Sequence, residues 1–286
     1  MIDFFLGLFE FTFIVLMLGL LTLFLGSLLV AWTWAHRMSL APESRSISLS
    51  EVLTIAGVEW GALVTLIACH WSPLRPYFES PKFEPKDLGG PLRSTQLPVV
   101  LVPSLHLGNS VFRILFWRLK SNYFKSLWPF AWKSFLNQST LLEDQLSRYL
   151  ETVFEKTGSD RAFVISFGSS RPLVSRVLSR PRFSSKDIRW FCVSGPSTKP
   201  ETYTFISTPR LKSAFSQEAP LDPQLLIVGE RDTVAFPQKV FGDTFVSVPD
   251  VGHYGVLLHS RTVQSLLDAL ESDRRPSRMT TGPAAS

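Results

Sequence analysis

Hydrophobic side chains fill the first part of the chain almost without interruption. Residues 11–33 contain no charged side chain, and Glu10 and Arg37 stand at the two sides of this run. About 20 apolar residues are enough to span the core of a bilayer. The leading residues carry an acid, Asp3, and no base, and the apolar run is too long for a signal peptide. The pattern therefore predicts a transmembrane anchor over residues 1–38.

A second apolar segment, residues 52–71, carries a carboxylate near its middle, at Glu59. A charge at mid-membrane is costly. The segment is therefore either a second span or a helix that lies in the membrane interface or against the globular domain, and we favour the interface. Arg37 and Arg45 favour a cytoplasmic connector, so one span places the domain in the cytoplasm and two spans place it on the other side. Residues 39–96 are assigned to this helix and a Pro/Gly-rich linker.

From residue 97 onward, short apolar runs alternate with amphipathic segments. Continuous apolar runs are typical of strands buried on both faces, and the predicted strands are 97–102, 123–127, 163–167, 188–193, 225–228 and 244–248. The predicted helices are 111–119, 140–158, 173–178 and 262–270. The alternation predicts an α/β domain over residues 97–272, with a mostly parallel sheet covered by helices on both faces. Residues 273–286 are polar and aperiodic, which predicts a disordered tail.

The charge of the chain is mildly positive, at +5, and its basic residues are scattered. No Lys/Arg block carries interleaved aromatic residues, which argues against nucleic-acid binding. A basic surface beside anionic lipid is the better interpretation, so we expect a lipid bilayer as a partner. The two cysteines, Cys69 and Cys192, have neither the spacing of metal ligands nor that of a disulfide framework. We expect no metal and no organic cofactor.

Two loops that follow neighbouring predicted strands carry an acid and a histidine. Asp232 comes after the strand at 225–228, and His253 comes after the strand at 244–248. Loops at the same edge of a parallel sheet can bring the two side chains together. The carboxylate would then fix the tautomer of His253 and steady the imidazolium while the histidine acts as a base.

An earlier strand, at 163–167, is followed by the turn Gly168-Ser-Ser170 and a helix. A serine held at such a strand–turn–helix corner is how an α/β-hydrolase presents its nucleophile, and the order Ser, Asp, His along the chain is the order that these enzymes use.

On these motifs the chain resembles the α/β-hydrolase superfamily, in particular bacterial lipase/esterase-like members with an N-terminal membrane segment. The likeness covers about residues 98–270 and rests on the loops around Asp232 and His253, on the strand before Pro103, and on the Ser194-Gly-Pro-Ser loop. It implies catalysis by a serine, His253 and Asp232. It also implies that the protein is located in a membrane, which we expect to be the bacterial inner membrane.

The nucleophile corner departs from the family pattern Gly-x-Ser-x-Gly. Matching from the strand side puts Gly168 at the nucleophile position, whereas matching from the helix side puts Ser169 there. Ser169 is the favoured nucleophile, although Phe167 and Arg171 would then occupy the usual glycine positions. Ser170 is the alternative.

The oxyanion loop departs as well, because Pro103-Ser104 stands where the family has His-Gly. Backbone N–H groups need no particular side chain, so the N–H of Leu105 and that of Ser170, the residue after Ser169, are the expected oxyanion donors.

Two functions follow from these patterns. The first is a membrane-anchored serine hydrolase that acts on a small-molecule or lipid carboxylic ester. The second is a catalytically inactive pseudo-hydrolase that serves as a membrane-tethered binding or scaffold domain.

Overall fold

A parallel sheet forms the centre of the molecule. The computed structural model describes residues 2–39, 48–71, 97–105, 108–122, 124–132, 139–195, 221–232 and 245–272. The strands in these residues are β1 (Val99–Val102), β2 (Leu127–Pro129), β3 (Arg161–Phe167), β4 (Asp187–Val193), β5 (Leu225–Gly229) and β6 (Phe245–Val248). Their order is β2-β1-β3-β4-β5-β6, and each neighbouring pair is parallel.

Helices connect the strands and precede them. They are α1 (Ile2–Ser39), α2 (Leu49–Trp71), α3 (Arg113–Ser121), α4 (Ser139–Thr157), α5 (Arg171–Leu178), α6 (Gly255–Leu258) and α7 (Ser260–Ser272). Short 3-10 turns lie at Asn109–Phe112, Gly168–Ser170 and Pro181–Phe183. The predicted tail, 273–286, and the predicted linker after residue 71 lie outside the described residues.

Successive residues of a strand point to opposite faces of a sheet, and this alternation builds two cores. Val99 and Leu101 of β1 pack in the core that contains α3 and α7. Val100 and Val102 pack in the other core, with α4 and α5. The predicted parallel sheet with helices on both faces is confirmed.

The predicted second strand, 123–127, is wrong. The strand is Leu127–Pro129, and Val99 of β1 pairs with Leu127. Proline argues against a strand because it cannot donate to the ladder, but β2 is an edge strand, where proline is tolerated. The other predicted strands and helices exist, with ends that shift by one or two residues.

The two N-terminal helices lie against each other. Both are long and apolar enough to cross a membrane, in the windows Thr12–Leu29 and Leu49–Leu66, although a signal sequence or a core helix has the same length and composition. The first window is 0% buried and the second is 33% buried. The indole N–H of Trp60 on α2 donates to the Leu20 carbonyl oxygen of α1, at 3.2 Å. The far end of α2 joins the globular domain, because Leu66 packs in the core of α3 and α7.

A matched pair of leucines on α4 tests the packing on the sheet. Leu146 is 0% exposed and Leu141 is 51% exposed. Leu146→Ala is expected to lower the free energy of unfolding by about 2–5 kcal/mol, since it removes buried methyl groups and leaves a cavity. Leu141→Ala is expected to cost less than about 0.5 kcal/mol. Urea unfolding followed by tryptophan fluorescence measures both, and equal costs would contradict the described packing.

Candidate active site

Asp232 and His253 meet at the carboxyl edge of the sheet, as the sequence predicts. Asp232 lies just after β5 and His253 in the loop after β6. His253 Nδ1 is 3.1 Å from each carboxylate oxygen of Asp232. Asp232 is fully buried and His253 is 5% exposed. In this contact the Nδ1–H of His253 faces the carboxylate of Asp232. Nε2 is then the ring nitrogen that faces away from Asp232, and we call it the outward nitrogen.

The two loops approach so closely because the residue that ends β5 is glycine. A Cβ added at Gly229 would lie 2.3 Å from the carbonyl oxygen of Val251, a distance that no side chain tolerates. The N–H of Arg231 donates to that same Val251 oxygen at 3.0 Å. Gly229 therefore lets the acid loop and the histidine loop share a backbone contact, and this contact fixes the position of Asp232.

Ser194, in the loop after β4, is a third member of this cluster. Its hydroxyl donates to Asp232 Oδ2, and its Oγ lies 3.2 Å from His253 Nδ1. Ser194 has a φ of 53°, a left-handed conformation that is uncommon outside glycine. The sequence marked this loop only by its likeness to a family loop and assigned no role to Ser194.

The electrostatics of the cluster favour the imidazolium form of His253. Burial alone lowers the pKa of His253, because a charged ring loses its hydration. The charge and hydrogen bond of Asp232, with a smaller contribution from the charge of Glu59, outweigh burial, and the pKa of His253 lies above its usual value.

Gly168 occupies the apex of the turn between β3 and α5. Its φ is +59°, in the left-handed region. A Cβ added there would lie 3.3 Å from His253 Nε2 and 3.3 Å from the Cβ and Oγ of Ser104. Gly168 is thus the residue whose side-chain position faces the outward nitrogen of the histidine.

The residues two before and two after Gly168 are small and buried. Ser166 and Ser170 are both 0% exposed. Small residues are needed at these two positions because strand and helix crowd there. Ser166-Phe-Gly-Ser-Ser170 therefore has the spacing of the family elbow with glycine at its centre. This is the match from the strand side of the turn.

The hydroxyls of the two serines after the apex bond to groups other than His253. Ser169 Oγ accepts a hydrogen bond from the Leu105 N–H at 3.1 Å and lies 2.7 Å from Ser104 Oγ. Ser170 donates to the carbonyl oxygens of Phe167, at 2.9 Å, and Val102, at 3.3 Å. Among the described residues, neither hydroxyl makes a hydrogen bond with His253.

Of the two expected oxyanion donors, the N–H of Leu105 lies at the site, whereas the N–H of Ser170 does not follow the apex residue. The Leu105 N–H does point into the site, and there it meets the Ser169 hydroxyl. With Gly168 at the apex, the residue that follows the apex is Ser169, so its N–H takes the position that we expected for the N–H of Ser170.

Asp232→Asn tests the electrostatics of the pair. The change keeps the shape of the side chain and removes its charge, so the pKa of His253 is expected to fall. Titration of the ring signals in full-length protein labelled at histidine measures this, with His253→Gln to assign the signal. Asp250→Asn is the control. It neutralises a carboxylate that lies in the histidine loop and is 77% exposed. A pKa of His253 in folded Asp232→Asn that equals the wild-type value would contradict the coupling.

Comparison with solved structures gives matches of low identity. Lipase B of Aspergillus fumigatus is 13% identical, with a TM-score of 0.48, over 62% of this chain and 53% of the lipase. The match thus spans about half the length of that lipase. MGS-M2, an α/β hydrolase enzyme from a Medee basin deep-sea metagenome library, is 12% identical, with a TM-score of 0.44, over 66% of this chain and 94% of the enzyme. Carboxylesterase CesB of Bacillus subtilis is 13% identical, with a TM-score of 0.39, over 60% of this chain and 83% of the esterase.

No protein-family model matches the sequence, and no curated protein matches it. The fold is therefore assigned from the chain itself. Its parallel sheet has an elbow between β3 and α5, an acid loop after β5 and a histidine loop after β6, in the chain order that these elements have in the hydrolases. This chain has the α/β-hydrolase fold.

Proposed function

We propose that this protein is a membrane-tethered pseudo-hydrolase: a binding domain with the α/β-hydrolase fold that forms no acyl-enzyme. The observation that carries the proposal is the glycine at the elbow apex. A serine nucleophile must come within hydrogen-bond reach of the base that takes its proton, about 2.6–3.2 Å. The position that faces His253 Nε2 belongs to Gly168, which has no side chain.

The remaining groups of the site suit a ligand that carries a carbonyl or carboxylate oxygen. The raised pKa of His253 favours a ring that donates a hydrogen bond from Nε2. The Leu105 N–H and the hydroxyls of Ser104 and Ser169 lie together next to the elbow and can donate as well. Retention of the Asp232–His253 pair without a nucleophile is consistent with binding of such a group.

The tether in this proposal is α1. Its apolar window, Thr12–Leu29, is 0% buried among the described residues, so the side chains that do not pack on α2 are free to contact lipid. Leu16, Leu25 and Leu29 are each more than half exposed. Lipid around α1 would cover this apolar surface.

The second candidate is the serine ester hydrolase that the sequence favours, with Ser169 as nucleophile. One observation supports it: Ser169 Oγ already lies at a backbone N–H of the oxyanion loop. Ser169 would have to leave Leu105 and attack the ester carbonyl. His253 would then take the proton and return it to the leaving alcohol, and Asp232 would orient His253.

A fluorophosphonate probe distinguishes the two functions, because it labels only an activated serine. The wild-type chain is expected to stay unlabelled. Gly168→Ser places a hydroxyl-bearing Cβ 3.3 Å from His253 Nε2 and is expected to become labelled. Because the added Cβ is equally close to the Cβ and Oγ of Ser104, the same change is also made together with Ser104→Gly.

Three controls fix the interpretation. Gly168→Ala adds the Cβ without the hydroxyl and is expected to stay unlabelled. His253→Gln in the Gly168→Ser chain is expected to reduce labelling by about 10²-fold or more, since the base is lost. Ser169→Ala in the Gly168→Ser chain is expected to leave labelling in place. Labelling of the wild-type chain that disappears in Ser169→Ala would overturn the proposal and establish the ester hydrolase.

A further inference from the structure

A carboxylate from the N-terminal hairpin of α1 and α2 reaches the histidine loop. Glu59 lies near the middle of α2 and is 7% exposed. Its Oε2 accepts the Tyr254 N–H at 2.9 Å, and its Oε1 accepts the Gly255 N–H at 3.1 Å. These two amides belong to the residues that directly follow His253. One carboxylate thus holds the backbone of the histidine loop from a helix almost 200 residues away in sequence.

The loop is shaped to receive this carboxylate. A Cβ added at Gly252 would lie 2.6 Å from Glu59 Cδ, and one at Gly255 would lie 3.1 Å from Glu59 Oε1. Glycine at Gly252 therefore creates the space for the Glu59 side chain beside His253. A buried carboxylate with two backbone donors is satisfied on both oxygens, which a chance contact of an apolar helix would not achieve.

The charged and titratable groups around His253 come from several elements. Asp232, after β5, faces Nδ1. Glu59 approaches from α2, on the side of the loop backbone. Tyr254 lies edge-on to the ring with centroids 5.0 Å apart, and the uncharged ring of Phe167 lies at 5.1 Å. Two carboxylates thus act on one imidazole, and Asp232 is the one that hydrogen-bonds to it.

We propose that Glu59 is a positioning residue for the Asp232–His253 pair, so that the α1–α2 hairpin is part of the site rather than only its tether. The proposal holds whether or not the site has a nucleophile, because it concerns the placement and charge state of His253. The hairpin is itself joined, since Trp60, next to Glu59, donates to Leu20 and meets the Phe24 ring edge-on. A displacement of α1 would therefore act on the residue beside Glu59.

Glu59→Gln in the full-length chain tests the charge. The change removes the negative charge and leaves one oxygen to accept from two amides. The pKa of His253 is expected to fall, and by less than in Asp232→Asn, because Glu59 raises this pKa through its charge alone whereas Asp232 also hydrogen-bonds to the ring. Titration of histidine ring signals in detergent measures it. Glu51→Gln removes the same charge from the same helix at its first turn, where glutamine also serves in a capping box, and is expected to leave the pKa unchanged.

Glu59→Asp tests the position. It keeps the charge but is too short to hold both amides, so amide hydrogen exchange in the segment around Tyr254 and Gly255 is expected to become about tenfold faster or more. Wild-type chain is the reference, and Glu51→Asp is the matched control. A wild-type pKa of His253 in folded Glu59→Gln would overturn the proposal. If the glutamine variant does not fold, the proposal is overturned when amide hydrogen exchange around Tyr254 and Gly255 in Glu59→Asp is as slow as in the wild-type chain.

Discussion

The close approach of the Gly168 backbone to the ring of His253 is the constraint on which the site depends. The left-handed φ of Gly168 turns the chain sharply from β3 into α5, beneath the histidine loop. Glycine adopts this conformation without the steric cost that other residues meet. An elbow with glycine at the apex is therefore relaxed and carries no side chain toward His253, whereas serine at the apex would be strained.

The rest of the site is organised around the same edge of the sheet. Gly229 brings the acid loop against the histidine loop, Asp232 orients His253, and Ser194 donates to Oδ2 of Asp232. Glu59 then fixes the backbone just beyond the histidine. Buried polar groups cost free energy unless they are paired, and here Asp232, Ser194, Glu59 and the Nδ1 of His253 each have a partner. Hydrogen bonds of this kind hold the acid loop and the histidine loop in one arrangement.

Much of this arrangement could be predicted from local pattern. Apolar strands followed by polar loops predicted the sheet and the meeting of Asp232 with His253, because parallel strands end at one edge. The elbow apex could not be decided, since the strand and the helix beside it suggested positions one residue apart. The packing of Gly168 against His253 and Ser104 decides between them, and sequence alone does not show that packing. Glu59 was marked by its charge within an apolar segment, but its partners are amides at the other end of the chain.

The most direct test of this account is the distance between Ser169 Oγ and His253 Nε2 in a crystal structure of the full-length chain. We expect Gly168 at positive φ, Ser169 Oγ on the Leu105 N–H, and no serine oxygen within about 3.5 Å of His253 Nε2. A Ser169 hydroxyl that donates to His253 Nε2 in that structure would contradict it.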